Sequence, residues 1–300
     1  MKKFLLYSIY ILAVSAFFIY LLFPSDAVKK YIAFKINEAN PDYSITIDRI
    51  KPDFPPGLKF YGVNLSHKDN PAIIAEWIKI APRLLTLFRP KMAFSFKGRL
   101  YEGMTEGEAV ITKSDAEKSV VTEVTINANL SALEMKDMHG IQDPSKYKLS
   151  GMLDGKITYS RKISDETVDI KLTASGCDIK ILSPISPEMG FLASVFSVDS
   201  LPFKSIDADL EIKNNKKIQI KEFVIKGNQI SGNISGTVDL KTPRDRSVLN
   251  LAGAIRPYPS FLASLGKAAT LLFKKPPGEN GFPFKIGGTF KRPRPQLSFK

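Results

Sequence analysis

Residues 206–220 read IDADLEIKNNKKIQI, and this stretch decides the fold class. On both sides of its centre, apolar residues alternate with charged or polar ones, which is the period of a strand with one buried and one solvent-facing side. The centre, KNNK at residues 213–216, is rich in residues that favour a tight turn. Strands joined by so short a turn pair antiparallel, so the stretch predicts an antiparallel hairpin.

The same alternation recurs at residues 43–48 and 168–173. Further turn signals of the hairpin kind lie at residues 55–57, 153–155 and 227–228. Strands do not alternate with helical segments, so nothing in the sequence requires a parallel sheet. The sequence therefore predicts a mainly β protein with an antiparallel sheet. A few short covering helices are expected to begin near residues 131, 186 and 260.

The N-terminal segment at residues 4–23, FLLYSIYILAVSAFFIYLLF, carries no charged residue. As a helix it would be about 30 Å long, which matches the hydrocarbon core of a bilayer. A cleaved signal peptide is the alternative, but its apolar region is normally about 7–15 residues long, and this run continues beyond the small residues at 14–16. The sequence thus predicts a transmembrane helix at residues 4–23. Its anchoring residues are Phe4, Leu5, Leu12, Phe17, Phe18, Leu22 and Phe23.

Charges around this segment predict its orientation. Lys2 and Lys3 precede it and Asp26 follows it, and positive charges favour the cytoplasmic side of a membrane. The tail at residues 1–3 is then cytoplasmic, and the β-rich domain at residues 42–300 lies outside the cytoplasm, which in a bacterium is the periplasm. We therefore expect a single-pass protein of the bacterial inner membrane whose anchor contacts membrane lipids.

The net charge of +13 looks at first like a nucleic-acid signal. A periplasmic domain does not meet chromosomal DNA or cytosolic RNA, so we expect no nucleic-acid partner. Anionic lipid headgroups, acidic protein surfaces and cell-wall polymers are the favoured partners. The alternative is a lysine-rich surface that only keeps the protein soluble.

Two basic segments are the predicted places for contact with an anionic surface. The first is a juxtamembrane amphipathic helix at residues 24–41, which either lies on lipid headgroups or packs on the domain, with packing favoured. The second is KRPRP at residues 291–295. It is either a binding tail or a charged edge strand whose prolines block aggregation, with the edge strand favoured. The predicted contacts are Lys29, Lys30, Lys35, Lys291, Arg292 and Arg294.

Recognisable catalytic and metal-binding motifs are absent from the sequence. One cysteine and two histidines cannot make a closed zinc site of the usual kind. His67 fits a surface turn, His139 the end of a short helix, and Cys177 a small residue at a strand end. No Gly-x-Ser-x-Gly elbow and no Walker loop occurs. We therefore expect no catalytic residue, no cofactor and no metal, in a protein that is not an enzyme.

Residues 23–32, FPSDAVKKYI, follow the apolar segment and lead into β-rich sequence that closes with GGTF at residues 287–290. This order of features resembles the GspN family of bacterial type II secretion systems. The resemblance implies a non-enzymatic, inner-membrane-anchored periplasmic component. Such a component would support protein export across the outer membrane and contact other secretion-system proteins.

Residues 77–91, WIKIAPRLLTLFRPK, resemble the AsmA-like proteins in their order of strand, leucine-rich turn and strand. Those proteins are anchored in the inner membrane, and the longer ones form a curved β groove linked to phospholipid passage. The resemblance implies an extended, curved sheet. It also implies an alternative function, that of a lipid-binding or lipid-transfer protein with phospholipid in a β groove. Alternation does not separate a groove from a closed core, because an acyl chain and a facing sheet need the same apolar side chains.

Overall fold

The centre of the protein is one curved antiparallel sheet, seen in a computed structural model that describes residues 2–53, 56–68, 70–87, 89–114, 120–143, 147–182, 200–264 and 281–297. Within these residues, fourteen strands lie side by side in the same order as in the chain. The predicted mainly β class and the extended, curved antiparallel sheet are therefore confirmed.

The strands are β1 (Tyr43–Asp53), β2 (Gly57–His67), β3 (Asn70–Pro82), β4 (Lys91–Leu100), β5 (Gly103–Lys113), β6 (Val121–Glu134), β7 (Tyr147–Lys162), β8 (Glu166–Ile181), β9 (Ser200–Lys213), β10 (Lys217–Gly227), β11 (Ile230–Asp239), β12 (Val248–Pro257), β13 (Phe282–Gly288) and β14 (Pro293–Leu297). The described α-helices are α1 (Lys2–Leu21), α2 (Ser25–Ala39) and α3 (Pro259–Ser264). Short 3-10 helices lie at Leu84–Thr86, Met135–Asp137, His139–Ile141 and Arg244–Arg246.

The hairpin predicted from residues 206–220 is the β9–β10 hairpin. Residues 214–216 connect the two strands. Asn214 and Asn215 have φ angles of 51° and 52°, the left-handed conformation that asparagine tolerates and that tight hairpin turns use. The strand, leucine-rich turn and strand predicted at residues 77–91 are also found, as β3, the 3-10 helix Leu84–Thr86 and β4. The alternating stretches of the sequence are thus strands.

Two local predictions were wrong. The turn signal at residues 153–155 lies inside β7, where Gly155 is paired with Leu172 of β8. A Cβ on Gly155 would lie 2.6 Å from Leu172 Cδ2, so this glycine makes room for a neighbouring side chain rather than for a turn. The helix predicted to start at residue 131 begins as strand, because Leu133 still pairs with Leu153 of β7. Helical structure starts only at Met135.

Of the other covering helices, the one predicted near residue 260 is present as α3, and its predicted continuation at residues 265–275 lies outside the described residues. The helix predicted near residue 186 also lies outside them.

Helix α2 packs on the sheet, as the favoured interpretation predicted. Val28 and Ile32, together with Phe23, contact a buried cluster that includes Ile50 and Phe60. Ser25 fixes the start of the helix, since its Oγ accepts a 3.0 Å hydrogen bond from the backbone N–H of Ile50. The helix is therefore part of the folded domain.

Helix α1 occupies most of the predicted transmembrane segment. Its described large apolar side chains are exposed, among them Phe4, Ile11 and Phe17. Among the described residues, no helix has both the length and the hydropathy needed to cross a membrane. A helix is thus found over residues 4–21 of the predicted segment, but the predicted membrane span is not supported.

Candidate functional site: the apolar face of the sheet

Strand register collects the apolar residues of all fourteen strands on one face of the sheet. Residues that are paired across neighbouring strands point to the same face. Starting from Pro52 on β1, the pairing passes through one residue of each strand, and every residue met is apolar, glycine or proline. This central row is Pro52, Leu58, Ile80, Phe96, Gly107, Ala128, Ile157, Ile170, Leu210, Ile220, Gly236, Leu251, Ile286 and Pro295.

A second row runs beside the first, two residues away along each strand except in β10, where a bulge makes the step three residues. Thr105 is its one polar residue from β1 to β13, and its hydroxyl donates a 3.1 Å hydrogen bond to the backbone oxygen of Asn129. The second row is Ile50, Phe60, Ile78, Gly98, Thr105, Leu130, Gly155, Leu172, Ala208, Phe223, Ile234, Gly253 and Phe284. The apolar face, defined by these two rows, therefore runs across the whole sheet.

The opposite face carries one row that is polar in every strand from β1 to β10, and the neighbouring row on that face includes Tyr61, Trp77 and Met104. One polar row, next to the central row in each strand, is Lys51, Lys59, Lys79, Lys97, Glu106, Asn129, Lys156, Lys171, Asp209 and Glu222. Some of these partners form ion pairs across strands, with 3.4 Å from Lys97 to Glu106 and 3.2 Å from Lys171 to Asp209. The sheet is thus amphipathic, with one face suited to water and one suited to an apolar partner.

Short elements cover part of the apolar face. Helix α2 lies over β1, where Ile50 is 2 % exposed. The 3-10 segment after β6 places Met135 and Met138 in a buried cluster with Cys177 and Phe203. Each cover contacts the second row, α2 through the cluster of Ile50 and Phe60 and the 3-10 segment through the cluster that Leu130 packs against.

The central row is more open. Ile80 is 38 % exposed, and Phe96, Ile157, Ile170 and Leu210 are half-buried. Within the described part of the chain, each strand makes its main contacts with its sheet neighbours, and the other substantial contacts are those of α2 and the 3-10 segments. The central row therefore has no substantial cover among the described elements.

The dimensions of the apolar face suit an elongated apolar ligand. Fourteen strands at about 4.8 Å spacing span about 62 Å. Half of the hydrocarbon core of a bilayer, which is the depth reached by one acyl chain, is about 15 Å. The face is therefore several times longer than a single acyl chain.

The predicted anchoring residues lie apart from the apolar face, except for Phe23. Phe4, Phe17, Phe18 and Leu22 are exposed on or just after α1, whereas Phe23 packs on the cluster under α2. The side chains of Leu5 and Leu12 lie outside the described residues.

The predicted basic contacts fall into two groups at opposite ends of the strand order. Lys29 and Lys35 on α2 are engaged locally: Lys29 lies 2.8 Å from Asp26, and Lys35 lies 2.6 Å from Glu38, whose hydrogen bond raises the pKa of Lys35. Lys30 is exposed on the same helix.

The other three residues lie beside the last strand. Lys291 and Arg292 are in the β13–β14 connection and Arg294 is on β14, which pairs with β13 alone among the described strands. The segment therefore includes an edge strand among the described residues, while its role in blocking aggregation or in binding stays a prediction. The structure does not bring the six basic residues into one site.

The two histidines and the cysteine lie on three different elements of the fold. His67 ends β2 with its ring centroid 4.8 Å from that of Tyr43, while the neighbouring Asp69 lies outside the described residues. His139 begins a 3-10 helix instead of ending a helix. Cys177 is inside β8 rather than at a strand end, is 3 % exposed, and has its pKa raised by burial. The described residues contain no group of three or more His, Cys, Asp or Glu placed to hold a metal.

Comparisons of the chain with protein-family models, with curated proteins and with solved structures found no match. The resemblances to the GspN and AsmA-like families therefore stay predictions from the sequence. The case for a function rests on the geometry of the sheet.

Proposed function

We propose that the apolar face binds the acyl chains of phospholipids, and that the protein is a non-enzymatic lipid-binding or lipid-transfer protein of the cell envelope. The observation that supports this most is the central row, which is apolar across fourteen strands and has no substantial cover among the described elements. With rows about 6.6 Å apart along each strand, a band one spacing wide along the central row and about 62 Å long measures about 400 Å². Contiguous exposed apolar patches of about 300–600 Å² are often binding sites.

Helix α1 supplies the membrane contact in this proposal. Its sequence is uncharged from Phe4 onward and its described large apolar side chains are exposed, so burial in a lipid phase would be favourable. Helix α2 follows after three residues and is packed on β1, which would hold the sheet close to the bilayer surface. In the arrangement expected from the sequence, α1 is in the bacterial inner membrane and the sheet is in the periplasm.

Photo-crosslinking tests the proposal. A photoreactive residue in place of Ile170 or Leu210 on the central row should form adducts with phospholipid when the full chain is in a membrane. The matched controls place the same residue at Lys171 or Asp209, the next positions on the polar face. Strong adducts from the apolar positions and weak ones from the polar positions support the proposal, and equal or absent adducts at Ile170 and Leu210 contradict it.

A second function is favoured by the open edges of the sheet. Strands β1 and β14 each pair with one strand only within the described residues, and such edges can accept a strand from another protein. A periplasmic component of a type II secretion system would use an edge in this way to contact other secretion-system proteins. Co-purification of those proteins supports this function, and normal protein export after deletion counts against an essential role in it.

A further inference from the structure

A cavity of about 650 Å³ lies between the end of α1 and the β1–β2 hairpin. Its apolar walls include Tyr20 in the last turn of α1, Phe23 just after the helix, and Pro52 and Leu58 from the two strands. Its polar walls include Lys51, Lys59 and Asp53, and the Asp53 carboxylate is paired with Lys79 at 2.8 Å. The cavity therefore combines an apolar lining with two lysines at the point where the apolar helix meets the sheet.

The two lysines are paired directly across β1 and β2. Like charges in this position repel each other, so the pair costs stability unless an anion lies between or beside them. Further along the polar row, Lys79 lies 2.8 Å from Asp53 and Lys97 lies 3.4 Å from Glu106. No described carboxylate forms such an ion pair with Lys51 or Lys59. Lys51 and Lys59 are therefore the directly paired lysines of the polar row that both lack such a partner among the described residues.

Aromatic rings hold one of these lysines in place. The Nζ of Lys59 lies 4.3 Å from the ring centroid of Trp77 and 5.1 Å from that of Tyr61. Such contacts orient an ammonium group and leave its remaining N–H bonds for an anion. Tryptophan and tyrosine are also the residues that favour the interface between lipid and water.

The cavity lies at the end of the β1–β2 hairpin and is lined by residues of both faces of the sheet. Lys51 and Lys59 belong to the polar row, whereas Pro52 and Leu58 are the first two members of the central row. A ligand with an anionic head at the lysines would have its apolar tail next to the start of that row. A free phosphate would bind to the lysines alone, whereas a phospholipid would bind to the lysines through its head group and contact the apolar walls with its acyl chain.

We propose that this cavity is the entry site for phospholipid, in which Lys51 and Lys59 bind the phosphate of an anionic glycerophospholipid and Leu58 directs its acyl chain onto the central row. This inference rests on the proposed lipid-binding function. It also gives the direction of lipid movement, because lipid would enter beside α1 and move along the central row toward β14.

The test uses the full chain in vesicles made of phosphatidylcholine with or without phosphatidylglycerol. A photoreactive residue at position 170 reports lipid on the central row. The double variant Lys51→Gln with Lys59→Gln removes the two charges. The matched control is Lys148→Gln with Lys180→Gln, which removes a second directly paired lysine pair, on β7 and β8, and changes the net charge equally.

The chain that carries the photoreactive residue and keeps both lysines should form more adducts with phosphatidylglycerol than with phosphatidylcholine. Each lysine near an anionic surface contributes about fivefold to binding, so the double variant at positions 51 and 59 should lower this preference by up to about 30-fold, and the control should keep it. An unchanged preference in that double variant overturns the entry site and leaves lipid binding intact. Absence of adducts at position 170 in the unmodified chain overturns both proposals.

Discussion

Truncation of two isoleucines on the same face should separate the covered part of that face from the open part. Ile50 on β1 is 2 % exposed beneath α2, and Ile80 on β3 is 38 % exposed on the central row. Replacing isoleucine by alanine removes about three methylene equivalents, worth about 2.4 kcal/mol when they are fully buried. At position 50 a cavity under α2 adds to this loss, so Ile50→Ala should lower the free energy of unfolding by about 4 kcal/mol.

At position 80 only about 60 % of the side chain is removed from solvent, and no closed cavity results. Ile80→Ala should therefore cost about 1.5 kcal/mol. The assay is urea unfolding of the full chain in lipid nanodiscs, followed by the fluorescence of Trp77, the single tryptophan of the chain, which lies on β3. The free energy comes from the midpoint and slope of the transition. A cost at position 80 equal to that at position 50 would refute the open central row.

Three further substitutions test the packing around the apolar face. Ser25→Ala removes the acceptor of the Ile50 N–H and should cost about 1–3 kcal/mol in the same urea titration, because that N–H is left unsatisfied. Cys177→Ser places a hydroxyl in an apolar cluster and should also cost about 1–3 kcal/mol. In the unmodified chain, the buried thiol with its raised pKa should be alkylated at pH 8 far more slowly in the folded state than in urea. Gly62→Ala should lower the melting temperature, because Gly62 has a φ of 58° and a Cβ there would lie 1.8 Å from Asp48 Oδ2.

Strands were predictable from the sequence wherever apolar and polar residues alternate along the chain. In β9, Leu210 and Ile212 alternate with Asp209 and Glu211, and the pattern alone fixes which side of the strand faces water. Helix α2 was predictable for the corresponding reason, because its apolar residues recur at helical spacing. These local signals come from consecutive residues and need no knowledge of tertiary pairing.

The continuity of the central row was not predictable, because it depends on register. Gly107 interrupts the apolar pattern of β5, yet a Cβ there would lie 2.6 Å from Cζ of Phe96 on β4. The glycine thus accommodates the neighbouring aromatic ring, which fills its place on the face. Register also explains why the turn predicted at residues 153–155 was wrong. Only the pairing of β7 with β8 shows that Gly155 is needed inside a strand. The entry cavity was also missed, because Lys51 and Lys59 become neighbours only when β1 and β2 pair.

The central claim is that lipid occupies the apolar face, and native mass spectrometry of the full chain released from membranes tests it most directly. The unmodified chain should retain phospholipid. Ile170→Glu, which places a charge on the central row, should lose it, and Lys171→Glu, which places the same charge on the polar face, should keep it. Absence of phospholipid from the unmodified chain, or equal retention by the two variants, would contradict the account.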